Sequence, residues 1–154
     1  MSIKTLEQEL RYVWLSVSKM YNEEASKYGG SMAIGFALLS LNPKVSTPST
    51  SLGPKMGMES TSLSRTLKFM EDENLIKRIP NPDDGRGVLI KLTKRGIEFR
   101  NYSKELIIKF NKTIKKKVGK DAVSNFYLVI DEINTVIKNK EIFKLIKKYQ
   151  KLLF

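Results

Sequence analysis

Two separate apolar lines run along one N-terminal helix, and they limit most what this 154-residue chain can fold into. Ile3, Leu6, Leu10, Val13, Val17 and Met20 recur at alternating spacings of three and four, the seam of helix-on-helix packing. Trp14, Tyr21 and Tyr28 form a second line at spacing seven. A helix apolar along two lines has to be covered on two sides, which predicts a multi-helix or intersubunit setting. Gly29-Gly30 ends this helix. Ser31 is placed to cap a short apolar helix, Met32 to Leu41, which Asn42-Pro43 stops.

The C-terminal part repeats the theme. Thr93 to Val118 reads as a long helix, apolar at Ile97, Leu106, Phe110 and Ile114 and ended near Gly119. Phe126, Ile130, Ile133 and Ile137 mark another. After Lys138-Asn139-Lys140-Glu141 the stripe restarts in a new phase at Ile142, Leu145, Ile146, Tyr149, Leu152 and Leu153. The phase shift predicts a bend, a break or a separate last helix.

The middle is different in kind. Leu63, Leu67 and Met70 share one helical face, and Thr61, Arg65 and Lys68 fall on the opposite one, with Ser60 and Ser64 on its flank. Met56 and Met58 add apolar positions on either side of Gly57, which suits the tight turn between two helices. Arg reads guanine bidentately, and Ser and Thr hydroxyls serve base edges or phosphates. Such a face is also what a plainly solvated helix presents. The following segment favours the first reading. Ile76 to Ile79 and Val88 to Leu92 are β-prone runs joined by the turn-rich stretch Pro80-Asn81-Pro82-Asp83-Asp84-Gly85-Arg86-Gly87. A helix-turn-helix followed by a β-hairpin is a winged helix, and an arginine between glycines on a slim tip suits a narrow minor groove.

Charge points the same way. The chain carries 28 basic and 16 acidic residues, net +12, which predicts a polyanionic partner: nucleic acid or an anionic membrane surface. Residues 1–40 balance at four of each sign, 41–96 hold ten basic and six acidic, and 97–154 hold fourteen and six. The cluster Lys112, Lys115, Lys116, Lys117, Lys120 reads as a solvated face, a flanking-DNA contact or a source of long-range attraction. No cysteine and no histidine are present. Disulfides, thiolate chemistry, imidazole bases and Cys- or His-ligated metals are therefore excluded. Ser16-Val17-Ser18-Lys19 matches a Ser-x-x-Lys pattern, but Val17 lies in the helical seam and no supporting motif accompanies it, so no enzyme is expected. The N-terminus lacks the apolar region of a signal peptide, and Met32 to Leu39 is too short to span a bilayer, so a cytoplasmic protein is expected.

Gly57-Met58-Glu59-Ser60-Thr61-Ser62-Leu63-Ser64-Arg65, Met70-Glu71, Leu75-Ile76-Lys77-Arg78 and the run from Asn81 to Thr93 with Gly96 resemble the MarR family of bacterial regulators. The wing motif is the most specific part, matched by Asp84, Arg86, Leu92, Thr93 and Gly96, and the close match spans roughly residues 45–97. The resemblance implies a mainly α fold with a small β-hairpin wing: a winged helix-turn-helix (31–96), helical dimerisation regions (1–28 and 119–154) and a connecting helix (97–118). It implies a homodimer on a pseudo-palindromic double-stranded DNA operator that represses or activates transcription, a ligand-responsive repressor first, often relieved by a small aromatic or anionic effector, with no cofactor and no membrane. The DNA-binding residues it points to are Ser60, Thr61, Ser62, Ser64, Arg65 and Lys68 on the recognition helix and Asp84, Gly85, Arg86 and Gly87 on the wing. Lys94 and Arg95, in a first helical turn where the macrodipole disfavours cations, are candidate phosphate contacts. Trp14, Tyr21, Tyr28 and Phe36 are the candidate effector pocket, or else plain inter-helix core. A non-specific architectural DNA binder is the alternative.

The sequence departs from the family in three ways. Gly53-Pro54 interrupts the first motif helix, which is expected to begin near Pro48 with Thr47 as cap and to be short or distorted. Asn74 stands where glycine usually follows the recognition helix, a workable exchange because Asn also enters the left-handed region. Lack of cysteine excludes the thiol-based peroxide sensors as a template.

Overall fold

The computed structural model describes residues 4–141, Phe143 and Ile146, and the backbone alone at Gly85 and Arg86. The chain forms two compact units, residues 1–106 and 107–154.

The first unit opens with α1 (Leu6–Ser26), where Thr5 Oγ1 accepts from the Gln8 N–H at 3.4 Å and Glu7 and Glu9 occupy the first turn. A short turn with Gly29 at φ +73° leads to α2 (Met32–Ser40). Ser31 caps α2 as expected, accepting from the Ile34 N–H at 3.3 Å, and Asn22 of α1 accepts from the Met32 N–H at 2.9 Å. Two of the N–H groups that a helix start leaves unpaired are thereby satisfied.

The next segment corrects an expectation. Thr47 caps nothing: Thr47–Pro48 is a two-residue strand, β1, and the Thr47 side chain is buried. A 3-10 turn (Ser49–Ser51) follows, then the five-residue helix α3 (Leu52–Met56). The expected distortion is present and its cause is plain. Because α3 starts at Leu52, Pro54 lies in the first turn, where its missing N–H would have no intrahelical partner anyway. Gly57, left-handed at φ +60°, closes α3 and turns the chain into α4 (Ser60–Asp72).

The end of α4 is a full Schellman motif. Leu75 N–H donates to the Met70 carbonyl at 2.8 Å, Asn74 N–H donates to Glu71 at 2.9 Å, and Asn74 sits at φ +55°. Asn74 thus takes the left-handed role anticipated for it. Strands β2 (Ile76–Asn81) and β3 (Asp84–Leu92) form the wing, and β1 adds to the far side of β3, giving the antiparallel order β1-β3-β2. Both prolines in the sheet, Pro48 and Pro80, lie on edge strands, where a missing ladder donor is tolerated.

The wing is longer and its turn tighter than the sequence predicts. Asn81 pairs with Asp84 around a turn at Pro82-Asp83, and Pro80 pairs with Val88, so residues 85–87 bulge out of register. Asp84, Gly85, Arg86 and Gly87 therefore belong to β3 rather than to an open loop tip. Thr93 caps α5 (Lys94–Val118) as predicted: its hydroxyl accepts from the Gly96 N–H at 3.0 Å and donates to the Asn74 carbonyl at 2.7 Å. A Cβ at Gly96 would stand 1.9 Å from the Leu75 carbonyl oxygen, so that crossing accepts only glycine.

Among the described residues twelve apolar side chains form the buried core, including Leu38, Leu41, Leu52, Met70, Ile76 and Ile90, all within the span from Ile34 to Leu92. Arg100 of α5 donates to the Leu41 carbonyl at 3.2 Å.

In the second unit α5 runs on to Val118, and Gly119 at φ +88° turns the chain into α6 (Lys120–Lys138). Asn139 ends α6 and Lys140 is left-handed at φ +53°, a break at the place where the apolar stripe changes phase. Of the restarted stripe, Ile146 is exposed, while Ile142, Leu145, Tyr149, Leu152 and Leu153 lie outside the described residues, as does Ile3 of the first seam. Neither α1 nor α6 contains a buried residue.

Candidate nucleic-acid interface

Helix α4 is built as a two-sided element. Leu63, Leu67 and Met70 are buried in the core. Ser60, Thr61, Ser62, Ser64, Arg65 and Lys68, the residues anticipated for base and phosphate contacts, are all exposed on the same helix. Two acidic residues at its C-terminal end are held by cations of other elements: Arg78 of β2 binds Glu71 at 2.9 Å, and Arg95 of α5 reaches the C-cap Glu73 at 3.4 Å. Among the described residues Arg65 and Lys68 make no ion pair, so their charges stay available on the exposed face.

A groove of about 720 Å³ borders this face, lined by Ser49, Thr50, Ser60, Ser64, Arg78 and Val88 among others. Arg65 also edges a hollow of about 490 Å³ that includes Gly29, Ser31 and Phe69. On the wing, Asn81 Oδ1 accepts from the Asp83 N–H at 3.1 Å and shapes the turn. A Cβ at Gly87 would meet the Asn81 and Asp84 side chains at 3.1 Å, a tight fit to which those side chains would have to yield. Gly85 and Arg86 follow Asp84 in β3, and the Arg86 side chain lies outside the described residues.

The two cations at the start of α5 differ. Lys94 is exposed, while Arg95 holds Glu73, the C-cap residue of α4, and at the same time lines a cleft of about 340 Å³ with Tyr28, Glu98, Phe99 and Tyr102. Of the four aromatic residues expected to shape an effector pocket, Tyr28 is the one lining this cleft; Trp14 is 55% exposed, and Tyr21 and Phe36 are partly buried. Phe99 and Tyr102 escaped the sequence reading, although an aromatic pair at i and i+3 on a predicted helix was there to be noticed. Tyr28 packs on the Tyr102 ring at 4.7 Å and edge-on to Phe99 at 6.3 Å. The Tyr102 hydroxyl donates to Glu24 at 2.5 Å. That bond, a second one with Tyr28 and burial push the hydroxyl well above the usual phenol range, so it stays a neutral donor.

Lys19 of the Ser-x-x-Lys match is paired with Glu23 on exposed α1. Among the described residues no group of three carboxylate, His or Cys side chains could hold a metal, and no helix is long and apolar enough to cross a membrane.

Comparison with known proteins agrees with this layout. The model of the MarR family matches residues 35–88, from α2 into β3. The HTH-type transcriptional regulator BilQ of Clostridioides difficile is 26% identical over 149 residues, spanning 91% of this chain and the whole of that protein. Among solved structures, Staphylococcus aureus MepR in its DNA complex superposes with a TM-score of 0.78 at 14% identity, over 88% of this chain and 99% of that one. The Streptomyces coelicolor regulator PcaV, crystallised with its natural ligand, gives 0.72 at 17% identity, over 89% and 99%. At such identities the structural likeness is one of fold.

Proposed function

We propose that this chain is a member of the MarR family, whose model matches residues 35–88, and that it is a sequence-specific DNA-binding transcriptional regulator working as a homodimer in the cytoplasm. The carrying observation is α4, which presents Ser60, Thr61, Ser62, Ser64, Arg65 and Lys68 outward over buried Leu63, Leu67 and Met70. In this reading α4 enters the major groove, where Arg65 contacts base edges and the hydroxyls and Lys68 hold base or backbone. The wing, with Arg86 in its bulged strand, tracks the neighbouring minor groove. Lys94 contributes to backbone attraction. Residues 1–28 and 119–154 supply the dimer interface and 97–118 the connecting helix, because α1 and α6 each expose apolar side chains that a second copy can cover. Both fold and family are those of regulators rather than enzymes. A small aromatic or anionic effector is expected to modulate binding by favouring the dimer arrangement less suited to DNA.

Selection of bound fragments from a genomic library tests this reading. Recovery of a shared inverted repeat is expected. Arg65→Ala should then weaken binding to that repeat by about 1–3 kcal/mol and relax preference at one or two base pairs. Arg86→Ala should lower affinity with a smaller change in major-groove preference. Fragments of random sequence, displaced equally by bulk DNA, would instead favour an architectural binder carried by charge alone.

A further inference from the structure

We propose that α5 carries a second DNA-binding surface, a ridge of Lys109, Lys112, Lys115 and Lys116, which holds the backbone of a further duplex while the recognition helices hold theirs. The ridge stands on α5 itself; the bridging of two duplexes rests on the DNA-binding reading above.

Most of the net charge lies where that reading makes no use of it. Residues 1–106, which include α4 and the wing, hold 16 basic and 12 acidic residues, net +4. Residues 107–154 hold 12 and 4, net +8. A chain whose charge served only the contacts of α4 and the wing would concentrate it in their unit.

Helix α5 gathers part of this charge on one side. With a helical repeat of about 3.6 residues, Lys109, Lys112, Lys115 and Lys116 fall within about 120° of its circumference. All four are exposed, and none makes an ion pair among the described residues. No acidic residue stands between Glu105 and Asp121. Lys117 falls on another side of α5 and Lys120 opens α6, so the lysine run of the sequence resolves into a ridge and two outliers. The helix macrodipole favours cations in the last turn, Lys115 to Lys117, but Lys109 and Lys112 precede that turn. Like charges three and four residues apart repel, as Lys109 and Lys112, Lys112 and Lys115, and Lys112 and Lys116 do. A polyanion laid along the ridge relieves that repulsion.

The spacing fits a duplex. From Lys109 to Lys116 the helix advances about 10 Å. A duplex presents one phosphate per about 1.7 Å of its axis, so about six lie along that length. Lysine, a compact charge on a flexible stem, takes phosphates without reading bases. An anionic membrane surface fits less well. A helix lying on a membrane inserts an apolar face, and between Glu105 and Val118 Ile108 is the one apolar residue on the ridge's side. The apolar line Ile107, Phe110, Ile114 and Val118 runs along the other side of α5.

Capture on beads tests the proposal with the full chain. A biotinylated duplex carrying the inverted repeat from the genomic selection is saturated with protein and then offered a labelled duplex of random sequence. The parent protein is expected to retain the labelled duplex, less so as salt rises. A variant combining Lys109→Gln, Lys112→Gln, Lys115→Gln and Lys116→Gln should hold the repeat within about threefold of the parent and retain at least about tenfold less labelled duplex. Glutamine matches lysine in helix propensity, so circular dichroism should not change. Arginine at the same four positions should restore retention, and each single Lys→Gln change should lower the salt slope of retention by about one. Equal retention by the parent and the glutamine variant, or no rescue by arginine, would overturn the ridge. A gain in repeat affinity on lengthening its duplex, lost in the glutamine variant and without capture of the labelled duplex, would overturn bridging and place the lysines on the flanks of the same DNA. Binding of phosphatidylserine vesicles that the random duplex does not displace would overturn the choice of DNA over a membrane. If the repeat is held and no labelled duplex is retained, this proposal fails and the DNA-binding reading stands. If no repeat is selected, random duplex takes its place on the beads. Capture that depends on the four lysines and not on Arg65 would then leave the ridge standing while the DNA-binding reading fails.

Discussion

Helices α4 and α1 are both amphipathic, and they differ in what their apolar sides meet. The 13 residues of α4 bury Leu63, Leu67 and Met70 against α2, α3 and the sheet of the same chain, whereas the 21 residues of α1 bury none. Leu6, Tyr12, Val13, Trp14 and Leu15 of α1 stay more than half exposed, and so do Phe126, Tyr127 and Leu128 of α6. A soluble chain seldom leaves apolar surface of that extent to water. The contrast separates a lobe whose core closes within one chain from helices whose apolar sides that core leaves uncovered. On the proposed reading function divides along the same line: the closed lobe would give α4 its footing, and the open helices would set how far apart two such lobes stand.

The largest effect is expected inside the lobe. Leu38 is fully buried, and Leu38→Ala should cost about 2–5 kcal/mol of unfolding free energy through lost transfer energy and the cavity left behind. Chemical denaturation followed by circular dichroism measures it. A cost below about 1 kcal/mol would mean that the lobe is no better packed than the helices, and the comparison would collapse.

Next comes the open side. Val13→Glu places a charge on the α1 seam and is expected to raise the dimer dissociation constant at least about 100-fold, about 2.7 kcal/mol, while the lobe keeps its circular dichroism. Sedimentation equilibrium reads this directly; an unchanged dimer would move the interface away from α1.

Asn74→Ala probes how tightly the lobe holds the end of α4. An alanine forced to φ +55° should cost about 1–2 kcal/mol, and Asn74→Gly should cost little. Equal losses in the two variants would show that the Asn74 side chain, not its backbone, matters there.

The smallest effect marks where the lobe's boundary falls on α1. Glu24 accepts from Tyr102 and Asn22 from the Met32 N–H, so the last turns of α1 are tied to α5 and α2. Tyr102→Phe should destabilise the chain by about 0.5–1.5 kcal/mol near neutral pH. Because the folded state raises the Tyr102 pKa, this contribution is complete below about pH 10, the unfolded phenol value, and fades as pH rises beyond it. Denaturation of the two proteins at neutral and strongly alkaline pH checks both magnitude and sign.

Much of the lobe could be read from local chemistry. Ser31 and Thr93 as caps, Gly57 and Asn74 as left-handed residues, and the Leu63, Leu67, Met70 face each depend on neighbours within a few positions. What escaped depends on distant partners. Strand β1 has two residues, one of them proline, and exists because Thr47 pairs with Ile90; two residues carry no periodicity. Thr47 looked like a cap for the same reason that threonine generally does, and burial against β3 decided otherwise. The stretch 80–87 read as one long turn because its Pro, Asn, Asp and Gly residues all favour turns. The ladder between Pro80 and Val88 narrows the true turn to Pro82-Asp83. The Tyr28, Phe99, Tyr102 corner joins residues more than seventy positions apart, and the cleft that draws in Arg95 is legible only once the chain is folded.

The division between closed lobe and open helices is tested most directly by hydrogen exchange, followed by mass spectrometry across the dilution at which sedimentation shows dimer giving way to monomer. Protection in α2, α4 and β3, around Leu38, Met70 and Ile90, should be the same at both ends of the series, while protection in α1 and α6 falls on dilution. Protection lost from all segments together, or kept in α1 and α6 by the monomer, would contradict the account.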